Sequence, residues 1–188
     1  RKNRFDLIDS GHFWLSETPE VPGSKSWDSS LPRMLSWVIL RDRLGNAQPF
    51  VFANTHFDHR GPLAREASAR LIRERASLVA PDHPIIVVGD FNTTELLAPY
   101  EVFMKSGSDG VTFVDSYRVI HPVRTPQEAS FSAWHGARAG ERIDWILHTP
   151  QWMTLNARIN YTQYDGRYPS DHYPVEAMLL LRSSFGNP

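Results

Sequence analysis

Four short polar segments of this chain carry side chains that could bind a phosphate group and hydrolyse its ester. They are residues 54–56 (NTH), 89–92 (GDFN), 142–145 (RIDW) and 170–175 (SDHYPV), and each lies on or beside an apolar run. Carboxylates and imidazoles at strand ends are the groups that α/β proteins use to hold a metal ion or to move a proton. Each segment alone is a weak signal, but the four together predict one hydrolytic site.

Asp90 and Asn92 follow the short apolar run at residues 84–88, which is typical of a buried central strand. They are two residues apart, so on an extended backbone both side chains can face the same side. The Asp90 carboxylate could hold a metal ion or orient a water molecule, and the Asn92 amide could donate to a phosphate oxygen. Asp and Asn are also common in turns, so this segment alone leaves a purely structural role open.

Asp171 and His172 precede the last apolar run of the chain. They offer a hard oxygen ligand for Mg²⁺ and an imidazole for proton transfer. Asp144 lies between Ile143 and Trp145, and a buried carboxylate there needs a partner, for which a histidine is suited. The competing interpretations are an exposed histidine in a loop and a solvent-facing aspartate on a half-exposed strand.

His56 ends its own apolar run and is a candidate for binding phosphate or for protonating the leaving group. Asp58 and His59 follow it closely, and they are expected to shape the loop and the start of the next helix. The pattern therefore predicts that His56, like Asp90 and His172, takes part in catalysis.

The elements that would position these residues alternate between apolar runs and an amphipathic helix. Apolar residues at helical spacing, with charged residues between them, predict a surface helix at 62–79, and residues 17–32 are predicted to be a loop. We predict strands at 12–16, 33–40, 49–55, 84–88, 142–148, 155–161 and 173–181, a turn at 44–46 and a second helix at 99–105. This order indicates an α/β sandwich with helices outside mixed sheets.

Composition limits the functional classes. The 188 residues are 41% hydrophobic and 12% aromatic, which is typical of a folded domain with a sizeable core. The net charge is -1, so the chain lacks the strongly basic character of many proteins that grip long duplex DNA. It contains no cysteine, which excludes thiolate metal sites and a cysteine nucleophile, and no apolar run suggests a membrane span.

The four segments, in this order, resemble the second half of the endonuclease/exonuclease/phosphatase superfamily, the fold of DNase I and exonuclease III. The resemblance extends from about His12 to the last strand. It implies a four-layer α/β sandwich with mixed, mostly antiparallel sheets, in which the N-terminal strands are missing from this chain. It also implies a phosphoesterase that uses Mg²⁺ or Mn²⁺ and in-line attack of water on phosphorus.

The resemblance implies catalytic roles for five residues. His172 would be the general base or a phosphate-polarising imidazole, and Asp144 would orient it. Asp90 would position or activate the water molecule, and Asn92 would bind the phosphate. His56 would bind substrate and stabilise the pentacovalent phosphorus or assist the leaving group.

Two further roles follow from the resemblance. Asp171 would be a metal ligand, and Arg33, which follows the long loop, would contact the substrate phosphate. The main metal carboxylate of the family comes from a Gln-Glu pair upstream, and this chain has no such pair before His12. We therefore expect residues 1–188 to be a single, N-terminally incomplete domain, completed by a missing segment or by another copy of the chain.

Two alternatives stay open at this stage. Residues 56–59 (HFDH) match part of a zinc motif of metallo-β-lactamase-like hydrolases, although Asn54 stands where that motif has its first histidine. A non-catalytic binding module that retains the fold is the other. Within the phosphoesterase interpretation, nucleic acid, phospholipid head groups and sugar phosphates are all possible substrates, because a fold does not fix function.

Overall fold

The computed structural model describes residues 2–44, 48–79, 82–106 and 111–182. The elements are β1 (Phe5–Trp14), β2 (Met34–Asp42), β3 (Phe50–His56), α1 (Pro62–Val79), β4 (Ile85–Asp90), α2 (Ala98–Met104), β5 (Val114–Asp115), α3 (Ser116–Ile120), β6 (Asp144–His148), β7 (Trp152–Ile159) and β8 (Val175–Leu181). Of the turn predicted at 44–46, residues 45 and 46 lie outside the described part of the chain.

In the described part of the chain, eight strands form two sheets. The larger sheet has the order β1-β2-β3-β4-β6-β5, and β7 pairs with β8 in a separate two-stranded sheet. Strands β3 and β4 are parallel, because helix α1 connects them, and the other pairs are antiparallel. The predicted α/β sandwich with mixed, mostly antiparallel sheets is confirmed.

One face of the larger sheet is covered by α1 and α2. Alternate residues of the central strands, such as Ala53 and Val87, are buried with Ile72 of α1 and Phe103 of α2 in the main apolar core. The period-2 alternation of a strand places one set of side chains on this face and leaves the other set for the opposite face. The helix predicted at 62–79 is confirmed at both ends, and its first turn is held by the Asp28 carboxylate, which accepts from the backbone N–H of Ala64 at 2.7 Å.

The opposite face of the larger sheet turns towards the β7–β8 sheet. Phe50 and Ile86 are buried there with Trp152, and the rings of Phe50 and Trp152 meet edge to face at 5.1 Å. Between the two sheets lies an open cleft of about 1570 Å³, and the sheet residues Asp90 and Asp144 line it together with apolar side chains. Polar and apolar groups therefore meet in the same cleft.

The sequence predictions differ from the structure mainly at short or exposed elements. Strand β1 begins at Phe5 instead of residue 12, because it is an edge strand whose first half is largely exposed and carries no clear alternation. Strand β5 and helix α3, of two and five residues, are too short for a periodic signal. Among the described residues, no helix is both long and apolar enough to cross a membrane.

Candidate active site

His56, Asp90 and Asp144 form one row across three neighbouring strands. Asp90 of β4 is the register partner of His56 in the parallel pair and of Asp144 in the antiparallel pair. Register partners on adjacent strands point to the same face of a sheet. Strands β3 and β4 therefore end, and β6 begins, at a common border that we call the site edge.

His172 comes from the loop before β8 and completes this group. Its Nδ1 donates to Asp144 Oδ2 at 2.9 Å, and its Nε2 lies 3.9 Å from Asp90 Oδ2. His56 approaches the same carboxylate from the other side, with Nε2 3.2 Å from Asp90 Oδ2. We call these four residues the acid–base cluster. Because Nδ1 of His172 is held by Asp144, its Nε2 is the nitrogen left for chemistry.

Asn92 fixes Asp90 in this cluster. Its backbone N–H donates to Asp90 Oδ1 at 2.8 Å, and its side-chain amide donates to the Phe57 carbonyl at 3.0 Å and towards Asp90 Oδ2 at 3.3 Å. Asn92 has a left-handed backbone (φ 48°), which asparagine tolerates better than most residues. Gly89 is required one residue before Asp90, because a Cβ there would lie 2.0 Å from the Thr55 carbonyl oxygen.

Ser130 is a positioning residue that the sequence did not reveal. It is fully buried, and its Oγ accepts from the backbone N–H of Ile143 at 2.9 Å and of Asp144 at 3.1 Å. Its carbonyl accepts from Tyr173 N–H at 2.7 Å. Ser130 thus joins the segment that carries Asp144 to the segment that carries His172. No periodic or charge signal marks it, since a serine in a loop is common.

The pKa values of the two carboxylates of the acid–base cluster are shifted in opposite directions. Burial raises the pKa of Asp144 above its usual value, and the hydrogen bonds from Ser130 and His172 only partly oppose this. Burial acts in the same direction on Asp90, but the hydrogen bonds from His56 and Asn92 outweigh it and lower its pKa. For His172, burial lowers the pKa, yet the hydrogen bond and charge of Asp144 raise it overall. This arrangement favours a charged Asp90 beside a proton-holding His172–Asp144 pair.

A second group of charges lies behind the site edge. Arg142 is buried, and its Nη2 donates to Glu95 Oε1 at 2.6 Å and to Asp115 Oδ2 at 2.5 Å. Arg118 donates to Glu95 Oε2 at 2.5 Å and also pairs with Glu128. We call these five residues the buried ion network. It ties the loop after β4, the start of α3 and the start of β6 together, which fixes where Asp90 and Asp144 stand.

The structure places the two remaining predicted site residues away from the centre of the cluster. Arg33 lies against the loop after β3, where its Nη2 is 3.3 Å from His59 Nδ1 and its Nε is 3.8 Å from Asp58 Oδ2. Asp171 adjoins His172, and its carboxylate accepts from the Ser170 hydroxyl at 3.2 Å. The contacts of the described residues link neither Arg33 nor Asp171 directly to Asp90.

Asp58 has the structural role that the sequence suggested. It is buried, and its carboxylate accepts from the backbone N–H groups of Ser30, Leu31, Arg60 and Gly61. These bonds hold its pKa far below the usual range, in spite of an opposing effect of burial. Asp58 therefore fastens the long loop after β1 to the loop after β3.

Three residues of the cluster are arranged so that they could hold a metal ion. Ligand atoms of Asp90, Asp144 and His172 all lie within 4.8 Å of one another, and Asp171 is outside this group. Two carboxylates suit Mg²⁺ or Mn²⁺, which prefer oxygen ligands and can retain several water molecules. The donor set of the chain therefore fits a divalent cation of this kind.

The α/β sandwich and its acid–base cluster are typical of a phosphoesterase. The chain belongs to the Endonuclease/Exonuclease/phosphatase family, whose model matches residues 6–172. This membership confirms the resemblance found in the sequence. The comparison with curated protein sequences gives no match.

Solved structures agree with this family. A mannosyl-6-phosphatase of Bacteroides thetaiotaomicron is 33% identical with a TM-score of 0.84, and the match covers 96% of this chain and 69% of that chain. An endonuclease/exonuclease/phosphatase family protein of the same species is 34% identical with a TM-score of 0.82, covering 95% and 65%. The human Nocturnin catalytic domain, at 18% identity, a TM-score of 0.71 and coverage of 96% and 61%, supports the fold alone.

These findings exclude the metallo-β-lactamase-like alternative. The fold belongs to a different superfamily. In addition, the carboxylate of Asp58, which belongs to the partial zinc motif, accepts hydrogen bonds from four backbone N–H groups and is therefore engaged as a structural acceptor.

Proposed function

We propose that this protein hydrolyses a phosphate ester, either a diester or a monoester, with the help of Mg²⁺ or Mn²⁺ and by in-line attack of water. The observation that carries the proposal is the convergence of His56 and His172 on Asp90, with His172 held by Asp144 at 2.9 Å. Two imidazoles around one carboxylate at the mouth of a cleft can accept and return a proton while a phosphate is bound.

The geometry supports distinct roles for the cluster. Asp144 holds the His172 imidazole in one orientation through Nδ1, so His172 Nε2 faces Asp90 and can receive a proton or donate to a phosphate oxygen. Asp90, whose pKa is lowered, remains charged and can orient the attacking water molecule. His56, with more than half of its side chain exposed, can donate to the phosphate or to the leaving group.

Asn92 and Arg33 are two further proposed phosphate contacts, and both side chains are engaged by protein groups. Both side-chain amide hydrogens of Asn92 are directed to protein oxygens, so binding phosphate requires that one of these bonds be exchanged. Arg33 contacts Asp58 and His59 of the loop after β3, so binding phosphate requires that its side chain leave these contacts.

The proposed metal ion would be held by the oxygens of Asp90 and Asp144, and Asp171, the metal ligand predicted from the sequence, lies outside this group. When bound, a divalent cation would neutralise the negative charge of the phosphate oxygens during hydrolysis. We also propose that the domain is completed by a further segment or another copy of the chain. The open cleft of about 1570 Å³ and the 65–69% coverage of the two Bacteroides relatives support this.

The test is a hydrolysis assay with a chromogenic phosphodiester and the matching monoester. We expect turnover with Mg²⁺ or Mn²⁺, loss of turnover with EDTA, and loss of about a hundredfold or more for Asp90→Asn. Turnover that is indifferent to EDTA and to Asp90→Asn would refute the proposed mechanism. If this chain is inactive and an N-terminally extended form is active, the function holds and the completion of the domain is supported.

One of the similar solved structures narrows the class of substrate that we propose. The relative that is 33% identical is a mannosyl-6-phosphatase, which acts on a sugar phosphate. The near-neutral charge of this chain also fits a small substrate better than a long nucleic acid. Among the three substrate classes considered from the sequence, we therefore place sugar phosphates before nucleic acid and phospholipid head groups.

A further inference from the structure

Two exposed aromatic residues lie in a single loop, and one of them, Phe131, contacts the acid–base cluster. Phe131 forms an isolated β-bridge with His172, and the centroids of the two rings are 5.0 Å apart. Phe131 is 46% exposed, and Trp134, three residues further, is 59% exposed. Both lie outside the three apolar clusters of the described residues. Packing of a core therefore does not account for either ring.

The loop is attached firmly on both sides of Phe131. Ser130 carbonyl accepts from Tyr173 N–H at 2.7 Å, and Ser132 N–H donates to the Asp171 carbonyl at 2.8 Å. The two bonds flank His172 on the opposite segment. Phe131 thus has a fixed position relative to the catalytic imidazole, which is what a specific contact with a substrate requires.

The backbone around Trp134 is strained, and its ring is exposed to solvent. Ala133 (φ 48°) and Trp134 (φ 70°) are both left-handed, which is rare for a bulky residue. The turn is closed by His135 N–H donating to the Ser132 carbonyl at 2.9 Å. At Gly136 a Cβ would lie 2.4 Å from the Tyr168 hydroxyl, so the close approach of this ring needs glycine. Strain that is held by such contacts is common at ligand sites.

We propose that Phe131 and Trp134 form an aromatic subsite for the sugar ring of a hexose 6-phosphate. The inference rests on the proposed function, because it places the phosphate at the acid–base cluster. In a hexose 6-phosphate the ring is separated from the ester oxygen by one carbon atom. A phosphate beside His172 therefore brings the ring within reach of Phe131, and the C–H face of a sugar can lie against an aromatic face.

The experiment compares mannose 6-phosphate with glycerol phosphate, which has the same ester group and no ring. We expect the wild-type protein to favour mannose 6-phosphate in kcat/KM. Phe131→Ala and Trp134→Ala should each reduce this preference by about tenfold, mainly through KM, because they remove contact with the ring. Phe131→Tyr should restore it. Equal kcat/KM for both substrates in the wild-type protein would overturn the subsite while leaving the phosphoesterase proposal intact.

A matched control is Trp27→Ala. Trp27 is also an exposed, left-handed tryptophan (38% exposed, φ 54°), but it lies in the loop between β1 and β2. Its removal should leave the substrate preference unchanged. A loss as large as that of Trp134→Ala would show that the effect is not specific to the loop of Phe131, and would refute the assignment.

Two further outcomes are decisive. A stronger preference for a nucleoside monophosphate than for mannose 6-phosphate would overturn the sugar assignment. If neither the wild-type protein nor an N-terminally extended form hydrolyses a phosphate ester, the proposed function fails, and titration calorimetry with mannose 6-phosphate then tests the subsite alone. Binding that Trp134→Ala weakens by about tenfold supports it, and binding that is absent or indifferent to this variant overturns it.

Discussion

The acid–base cluster and the buried ion network both bring carboxylates together near the start of β6, yet they do so differently. In the buried ion network, Glu95 and Asp115 are paired with arginines, and the Arg142 side chain has no exposed surface. In the acid–base cluster, Asp90 and Asp144 face histidines, and all four side chains have some exposure. Arg142 and Asp144, one from each group, are only two residues apart.

The difference lies in which partners can change their charge. An arginine keeps its charge at every physiological pH, so its carboxylate partners are held in one state. A histidine can gain or lose a proton near neutral pH, so the Asp–His pairs can take part in proton transfer. We propose that the network of arginines supports the site and that the cluster of histidines carries out the proposed chemistry.

The largest expected effect is the loss of Arg142. Arg142→Met removes a buried charge that pairs with both Glu95 and Asp115. Glu95 keeps its pair with Arg118, whereas Asp115 loses its ion pair with Arg142. We expect a destabilisation of about 3–5 kcal/mol, with activity lost through unfolding. Urea unfolding followed by circular dichroism measures it.

The control is the exposed pair of Arg158 and Glu176, which joins β7 to β8 with side chains 64% and 41% exposed. Arg158→Ala should cost less than about 1 kcal/mol, because solvent screens this pair. Similar losses for the two arginine variants would mean that the buried ion network is not a special support.

For the acid–base cluster we expect the opposite: activity is lost and stability is kept. His172→Ala should reduce kcat by about 10²–10⁴, because the proton-transfer group is gone, while the free energy of unfolding stays near that of the wild-type protein. Phosphoester turnover and urea unfolding are measured on the same sample.

A buried histidine at the end of β6, away from the acid–base cluster, provides the matched comparison. His148 is buried at the far end of β6, and its Nε2 is 2.7 Å from Thr154 Oγ1. His148→Gln should lower stability and preserve the turnover of the folded molecules. If His148→Gln instead removed activity from a stable protein, the assignment of chemistry to the site edge would be wrong.

The smallest expected effect is on the pH dependence of stability. Burial raises the pKa of Glu95, but the hydrogen bond from Arg118 and the charge of Arg142 outweigh it, so the pKa in the folded state lies below its usual value. Its contribution is thus present above the unfolded pKa and is lost as the pH falls. Glu95→Gln should cost about 1.5–3 kcal/mol at neutral pH and flatten the decline of stability towards acid pH.

Unfolding of both proteins between about pH 7 and pH 3 measures this difference. Asp144 acts in the opposite sense, because its raised pKa means that its contribution is lost as the pH rises. Parallel stability curves for the wild-type protein and Glu95→Gln would show that the network does not govern the acid sensitivity.

The sequence predicted the long, periodic elements and the strand ends that carry Asp90 and Asp144, for physical reasons that differ. Helix α1 has a clear 3.6-residue pattern, and Asp90 and Asp144 each stand at an end of an apolar strand, so their positions were readable. The roles of Ser130 and Glu95 could not be predicted, because they depend on partners that are distant in sequence. Ser130 is 14 residues from Asp144, and Glu95 is 47 residues from Arg142. Local patterns carry no information on such pairs.

The order in which the acid–base cluster is assembled has a consequence for synthesis of the protein. Its members come from β3, β4, β6 and the segment before β8, so the last of them, His172, is made long after His56. Ribosomes add about 5–20 residues per second, so the nascent chain spends several seconds with Asp90 exposed and His172 absent. A partly synthesised chain therefore cannot carry out the proposed reaction, and catalytic competence arises only when nearly the whole domain has emerged and folded.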